Sequence, residues 1–255
     1  MKQPTRADRL AVRERPKGRS PVMFQRWRHL LFLHWEFEPQ EIQETLPDGL
    51  FVDTFNSRAY VGIVPFFMRD VRPVFLPAVP GISNFLELNL RTYVFDTHGT
   101  PGVWFYCLDA SQWLAVEIAK KFFGLPYYHS EMGAKKVRNG EIIYSAQRRG
   151  APSRFQSTFR YRGSGPVRNA DAGSLEFFLI ERYILFSYFP KQEKLMMGRV
   201  HHQPYPLLDA EVPEWDDKLF ELNGLKPPGR QPDHIILSPG VDVDIFAVYA
   251  SYSSL

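Results

Sequence analysis

The sequence predicts an α+β domain made mainly of antiparallel strands. About ten stretches read as short strands, and only one or two as short helices. Aromatic residues make up 15% of the chain, with 21 Phe and 12 Tyr, and such side chains favour pleated, half-buried surfaces. The 21 Pro and 17 Gly add turns and shorten helices. At 255 residues the chain can bury a sizeable core.

The elements follow in order. His29 to Phe37 is apolar and aromatic, a first strand. Pro39 suits a first helical turn, and Ile42 and Leu46 lie four apart, giving a short helix stopped by Pro47-Asp48-Gly49. Leu50 to Asn56 and Arg58 to Met68 read as strands, with Pro65 demoting the end of the second to an edge or a bulge. Four of residues 70–84 are Pro73, Pro77, Pro80 and Gly81, a long loop of the kind that covers pockets. Phe85 to Phe95 is the clearest alternation in the chain: Leu86, Leu88 and Leu90 share one face, and Glu87, Asn89, Arg91 and Tyr93 the other. Val103 to Leu108 is the next strand. Asp109 or Ser111 caps a helix running to Phe123, with Trp113, Val116, Ala119 and Phe122-Phe123 on its apolar side, a Glu117–Lys121 pair, and Gly124 and Pro126 ending it. Glu141 to Gln147 and Arg154 to Arg162 are two basic strands, and Leu175 to Leu179 is a short helix. Strands up to Phe189 and from Leu195 to His202 come next. Residues 203–232 read as loops and short turns, and His234 to Leu237 as a late strand.

The charge is uneven. Residues 1–20 hold seven bases against two acids, net +5, which leaves −2 for the rest of a chain of net +3. A disordered basic leader over residues 1–22 and a single domain over 23–255 are expected. The leader lacks the apolar block of a secretory signal, and no apolar run is long enough to span a bilayer. Cys107 is the single cysteine and reads as a small core residue, so no intrachain disulfide forms. A soluble cytoplasmic protein without a membrane partner follows.

Several stretches together resemble the YqjF-like family of uncharacterised proteins, DUF2071: Phe85 to Val94, Gly102-Val103-Trp104-Phe105, Leu125-Pro126-Tyr127-Tyr128, Glu181-Arg182-Tyr183, His201-His202-Gln203-Pro204 and His234 to Val243. The resemblance runs from about Phe24 to Phe246. It implies the acetoacetate decarboxylase-like fold, an incomplete β-barrel with a central cavity. Enzymes of that group carry a helix followed by Gly-x-Pro-Lys-Lys, in which the first lysine forms a Schiff base with a keto acid and the second depresses its pKa. Here the matching segment is Gly124-Leu125-Pro126-Tyr127-Tyr128, so both lysines are missing. Imine formation needs a neutral amine, which a tyrosine does not supply. A Schiff-base decarboxylase is therefore not expected.

If the polar face of the Glu87 strand lines a cavity, Arg91 holds a substrate carboxylate in a bidentate fork and Glu87 becomes a buried acid fit for proton transfer. The other reading of the same residues is an Arg–Glu pair on an outer sheet face. Tyr93 shares the polar face. Tyr127 and Tyr128 point opposite ways if extended, so one of the two enters the cavity as a hydrogen-bond donor or weak acid. Glu181 and Arg182 place one charge inward and one outward, or form a structural ion pair. His201 and His202, adjacent on a strand, face opposite ways. With His234 they are candidate ligand contacts, but their spacing is not that of a zinc site, and no metal or cofactor is expected. Residues 135–168 carry nine bases against Glu141 alone, which suits either a polyanion or a solvated outer face, and nucleic acid is the less favoured partner. Three functions stay open: lyase-like or related chemistry on a small organic acid, non-catalytic binding of a small acidic or apolar ligand, and polyanion binding. The oligomeric state stays open too, a homo-oligomer included.

Overall fold

A computed structural model of the chain describes residues 2–189 and 194–251. Its elements, in order, are α1 (Arg6–Arg13), β1 (Met23–Phe37), α2 (Pro39–Gln43), β2 (Leu50–Val52), β3 (Ala59–Pro73), β4 (Phe85–Asp96) and β5 (Pro101–Ala110). Then come α3 (Trp113–Phe123), β6 (Tyr127–Lys136), β7 (Ile142–Arg148), β8 (Ser157–Arg168), α4 (Leu175–Ile180) and β9 (Ile184–Phe189). The chain continues through β10 (Lys194–His201), β11 (Leu207–Glu214), α5 (Lys218–Leu222), β12 (His234–Ile245) and β13 (Tyr249–Ala250). The expected α+β class holds.

Among the described residues the strands join in the order β13-β10-β9-β5-β6-β7-β8-β11-β12-β1-β3-β4-β2, and a further β4–β5 pairing brings the sheet back on itself as a ring of strands. Pairing is antiparallel except for β5 with β6 and with β9. Both faces of the central strands are covered. Along β1, Leu30 and Phe32 join one apolar cluster while Leu31, Leu33 and Trp35 join another. Along β4, Phe85 and Tyr93 belong to the first cluster and Leu86, Leu88 and Leu90 to the second.

Three irregularities keep the first cluster continuous. His29 adopts φ 53° and breaks the β1–β3 register, so odd-numbered Met23, Gln25 and Trp27 face the same side as even-numbered Leu30. Asp70, φ 50°, does the same in β3, carrying the inward set from Val64, Phe66 and Met68 to Val71 and Pro73. In β5, Leu90 pairs with Cys107 but Arg91 with Phe105, so Tyr106 is the extra residue, and Phe105 and Leu108 face one way. Each inserted residue reverses the parity of a strand and so preserves its apolar face. Pro65 lies opposite the β1 irregularity, between Ile63↔Leu33 and Phe67↔Arg28, and is in register with Leu88 of β4 on its other side. This is the bulge position that the sequence allowed.

Several expectations need correction. The leader is not disordered where it is described: Arg6–Arg13 is helical, with Thr5 and Asp8 closing a reciprocal cap. Arg9 pairs with the buried Asp53 at 2.7 Å, Arg15 pairs with Asp244, and Arg19 lies 4.0 Å over the Tyr249 ring. Net charge suggested a free tail, but the partners of these arginines stand far along the chain. The 203–232 stretch contains β11 and α5, and β12 continues past Ser238-Pro239-Gly240 to Ile245. The Tyr127–Lys136 strand was not foreseen. Of the residues assigned to the apolar side of α3, Val116 is buried, but Trp113 and Phe122 are about 60% exposed. Glu117 meets Lys120, not Lys121. No helix among the described residues is long and apolar enough to cross a membrane.

Candidate functional site

The first cluster surrounds a pocket of about 240 Å³, bounded by β1, β3, β4 and β5 and roofed by α3. Ala115, Ile118, Ala119 and Phe123 of α3 face into it, and Ile82 reaches it from the 74–84 loop. Gln112 Nε2 donates 2.7 Å to the Gly81 carbonyl and ties that loop to the start of the helix. Gln112 also caps α3, accepting from the Leu114 amide, and Gly124 ends it in the left-handed region at φ 61°. Pro126 then hands the chain to β6, which places Tyr127 in the wall.

The walls are largely apolar. The polar exceptions on β4 are Glu87, Asn89 and Arg91, two residues apart on one strand face. Of the two alternatives for this face, the structure shows the inward one. Glu87 is 3% exposed. Burial raises its carboxyl from 4.5 to about 7, against hydrogen bonds from Tyr127 and Asn89 that lower it, with the nearby Asp109 charge adding to the rise. The Tyr127 hydroxyl donates 2.8 Å to Glu87 Oε2. Burial and the Glu87 carboxylate in turn hold the Tyr127 hydroxyl well above its ordinary pKa. Arg91 lies 5.3 Å over the Phe32 ring and donates 3.4 Å from Nη2 to the Leu179 carbonyl. Its Nε has no partner, and no carboxylate among the described residues pairs with it. Asn89 is 4% exposed, and its Oδ1 also lacks a partner. Among the described residues the pocket wall contains no lysine.

Tyr127 and Tyr128 do diverge. Tyr127 enters the pocket, whereas Tyr128 is 39% exposed under the Arg148 guanidinium, 3.8 Å from its ring.

The other candidates stand behind the wall. Tyr93 is fully buried and bonds His34 Nε2 at 2.6 Å, turned from the pocket by that contact. Neither Glu181 nor Arg182 points outward. Glu181 accepts from the Tyr183 hydroxyl and the Tyr205 amide. Arg182 pairs with Asp53 at 2.9 Å and lies over the Tyr93 and Phe178 rings. His201 and His202 diverge as expected. His202 stacks on Tyr183 at 4.5 Å between ring centroids, and burial lowers it to about 4. His234 meets His34 at 3.1 Å, Nδ1 to Nδ1, and burial lowers it also to about 4. Among the described residues no group of three or more potential ligands gathers around one point.

Two features were missed from sequence. Asp109, read as a helix cap, is instead buried with Arg148 in a two-point ion pair at 2.8 and 2.9 Å and accepts from Ser130. Asn89 was placed on the polar face but not singled out. Six bases of the stretch 135–168 form ion pairs: Arg148, Arg149, Arg154, Arg162 and Arg168 with acids from outside it, and Arg160 with its own Glu141.

Residues 24–242 match DUF2071, described as an uncharacterized conserved protein. The uncharacterized protein YqjF of Bacillus subtilis (strain 168) is 34% identical over 211 residues, which cover 83% of this chain and 85% of that one. Solved structures share the fold at low identity. An acetoacetate decarboxylase-like enzyme from Sphingomonas wittichii RW1 superposes with TM-score 0.60 at 15% identity, over 92% of this chain and 95% of its own. The enduracididine biosynthesis enzyme MppR, complexed with pyruvate, gives 0.61 at 13%, over 94% and 95%. Acetoacetate decarboxylase from Legionella pneumophila subsp. pneumophila str. Philadelphia 1 gives 0.61 at 11%, over 92% and 90%. These likenesses establish the acetoacetate decarboxylase-like fold. With its match to the family model across residues 24–242 and its identity to YqjF, the chain belongs to the DUF2071 family.

Proposed function

We propose that the pocket binds a small organic acid, anchored through its carboxylate by Arg91, with Glu87 and Tyr127 placed to move a proton on the bound molecule. The observation that carries this reading is the Arg91 guanidinium: Arg91 lines an apolar pocket, its buried Nε has no partner, and no acid among the described residues pairs with it. A carboxylate ligand supplies the missing charge and a two-point geometry. Glu87, at about 7, holds or releases a proton near neutral pH, as a general acid or base requires. The pyruvate in the MppR structure is a ligand of the same chemical class in a protein of the same fold. An imine route is not part of the proposal, because Tyr127 and Tyr128 occupy the two lysine positions.

The lack of a lysine among the described pocket residues also supports a second reading, in which the protein binds its acid without converting it. A thermal-shift screen of the full chain against 2-oxo, 3-oxo and unsaturated acids tests the shared part. A ligand at about 100 times its Kd adds roughly 2.7 kcal/mol of stability. Shifts that vanish in Arg91→Ala support the anchor, and a panel that leaves the melting temperature unmoved removes it. Turnover of a hit, abolished in Glu87→Gln, separates catalysis from binding.

A further inference from the structure

We infer, resting on the reading just given, that the acid is a straight-chain alkanoate: a single carboxylate held at Arg91 and an apolar tail directed toward an opening between α3 and the 74–84 loop. Arg91 is half-buried and keeps accessible surface, whereas Glu87 and Asn89 on the same strand face are buried. Arg91 is the one cation among the described residues of the wall, so the site meets one carboxylate and offers no partner to a second. Glu87 and Gln25, also in the wall, are already engaged. Glu87 accepts from Tyr127 at 2.8 Å, and Gln25 accepts from Trp27 Nε1 at 2.7 Å and turns its amide to Met23 Sδ at 3.2 Å. A ligand body rich in hydroxyls loses its water there and gains few partners.

The walls suit an alkyl chain. Val64, Phe66, Phe105, Leu108, Phe123 and Leu185 line the pocket, whose volume is about 240 Å³. A dry apolar cavity of about 150 Å³ holds benzene, so this one has room for an apolar body much larger than pyruvate. Two residues mark the opening, because they line the pocket and also meet solvent: Ile82 at 42% exposure and Ile118 at 38%. Ile82 precedes Phe85, the first inward residue of β4, and Arg91 stands three inward steps beyond Phe85, about 20 Å along the strand. Anchor and opening therefore lie toward opposite ends of β4, and an extended chain follows the line between them. The apolar surface continues outside. Val79, whose carbonyl accepts from the Ile82 amide, and Trp113, next to the Gln112 that bonds Gly81, are both exposed.

The test is calorimetric titration of the full chain with pyruvate, butanoate, hexanoate, octanoate and decanoate, and with octan-1-ol and octanedioate as controls. Affinity rises about threefold or more with each added methylene, as burial of that group from water requires. Octanoate then binds more than about tenfold tighter than pyruvate, octan-1-ol or octanedioate. Arg91→Ala weakens every acid, and Ala119→Phe, which fills the pocket under α3, weakens octanoate and decanoate more than butanoate. The chain-length series in the wild-type protein needs no variant, so it decides even if Ala119→Phe does not fold. A flat series, or pyruvate as the tightest ligand, with binding still dependent on Arg91, overturns this inference and leaves the anchor standing. A rise that Ala119→Phe leaves untouched puts the chain on the outer apolar surface and overturns the inference as well. Octan-1-ol binding as tightly as octanoate, or binding indifferent to Arg91→Ala, overturns the anchor itself, and binding of none of the acids overturns both.

Discussion

The Tyr127 hydroxyl donates a 2.8 Å hydrogen bond to Glu87 Oε2, inside the protein and 40 residues away in sequence. This bond opposes burial: it favours the ionised carboxylate that desolvation disfavours. Tyr127→Phe removes the donor and leaves desolvation unopposed on that side, so the Glu87 carboxyl titrates above about 7. The variant loses about 1 kcal/mol of stability at alkaline pH. A carbon-13 NMR titration of the glutamate side chains reads the shift directly, and an unmoved Glu87 value would break the assignment of the bond.

The raised Glu87 value also makes stability depend on pH. The native carboxyl keeps its proton up to about 7, whereas the unfolded one releases it near 4.5. The group's contribution is therefore full below 4.5 and is lost as pH rises through about 7. At 1.36 kcal/mol per pKa unit the difference amounts to about 3 kcal/mol. Urea unfolding of wild type and Glu87→Gln at pH 4.5 and pH 8 isolates it: the variant gains about that much relative to wild type at the higher pH. A gap that stays constant across the window contradicts the buried placement.

His202 acts in the opposite sense. Burial lowers it from 6.5 to about 4, so the unfolded chain binds its proton first. Its contribution is present above 6.5 and is lost as pH falls toward 4, again by about 3 kcal/mol. His202→Phe keeps an aromatic ring against Tyr183 and removes the titration, flattening the acid side of the stability curve. Chemical unfolding at pH 7 and pH 4.5 checks this, and an unchanged slope excludes His202 as its source.

Much of the pocket could be read from the alternation of β4, because a strand face with period two displays its own chemistry. Glu87 and Arg91 were found that way, and Tyr127 followed from the helix exit. What could not be read was parity across a bulge. His29, Asp70 and Tyr106 each insert one residue, so Trp27 and Leu30, or Phe105 and Leu108, fall on one face although their spacing assigns them to two. The Asp109–Arg148 pair hid for a different reason: local sequence offered a helix cap, and the true partner comes 39 residues later. Tyr93, on the correct face, is drawn away by His34, which no spacing rule connects to it.

Asp53 is 0% exposed and accepts from both Arg9 and Arg182. Asp53→Asn leaves two guanidinium groups facing a neutral amide in a buried position, and costs about 3–5 kcal/mol. Arg9→Ala costs less, about 1–3 kcal/mol, because Arg182 still meets the carboxylate. Thermal and urea unfolding rank the two variants, and an Asn variant milder than the Ala variant would reverse the reading of this cluster.

The docking of α1 moves the working boundary of the protein outward from the family match. Sequence similarity starts at residue 24, yet Arg9 reaches a carboxylate in the interior and the Val12 and Glu14 carbonyls accept from Arg199. A version of the protein trimmed to the region of similarity would keep Glu87, Arg91 and Tyr127 but lose Met23 and Ile245 from the pocket wall, and would begin life with an acid buried beside one counter-ion in place of two. Ligand screens on such a shortened chain would then report the injury of the cut together with the chemistry of the pocket.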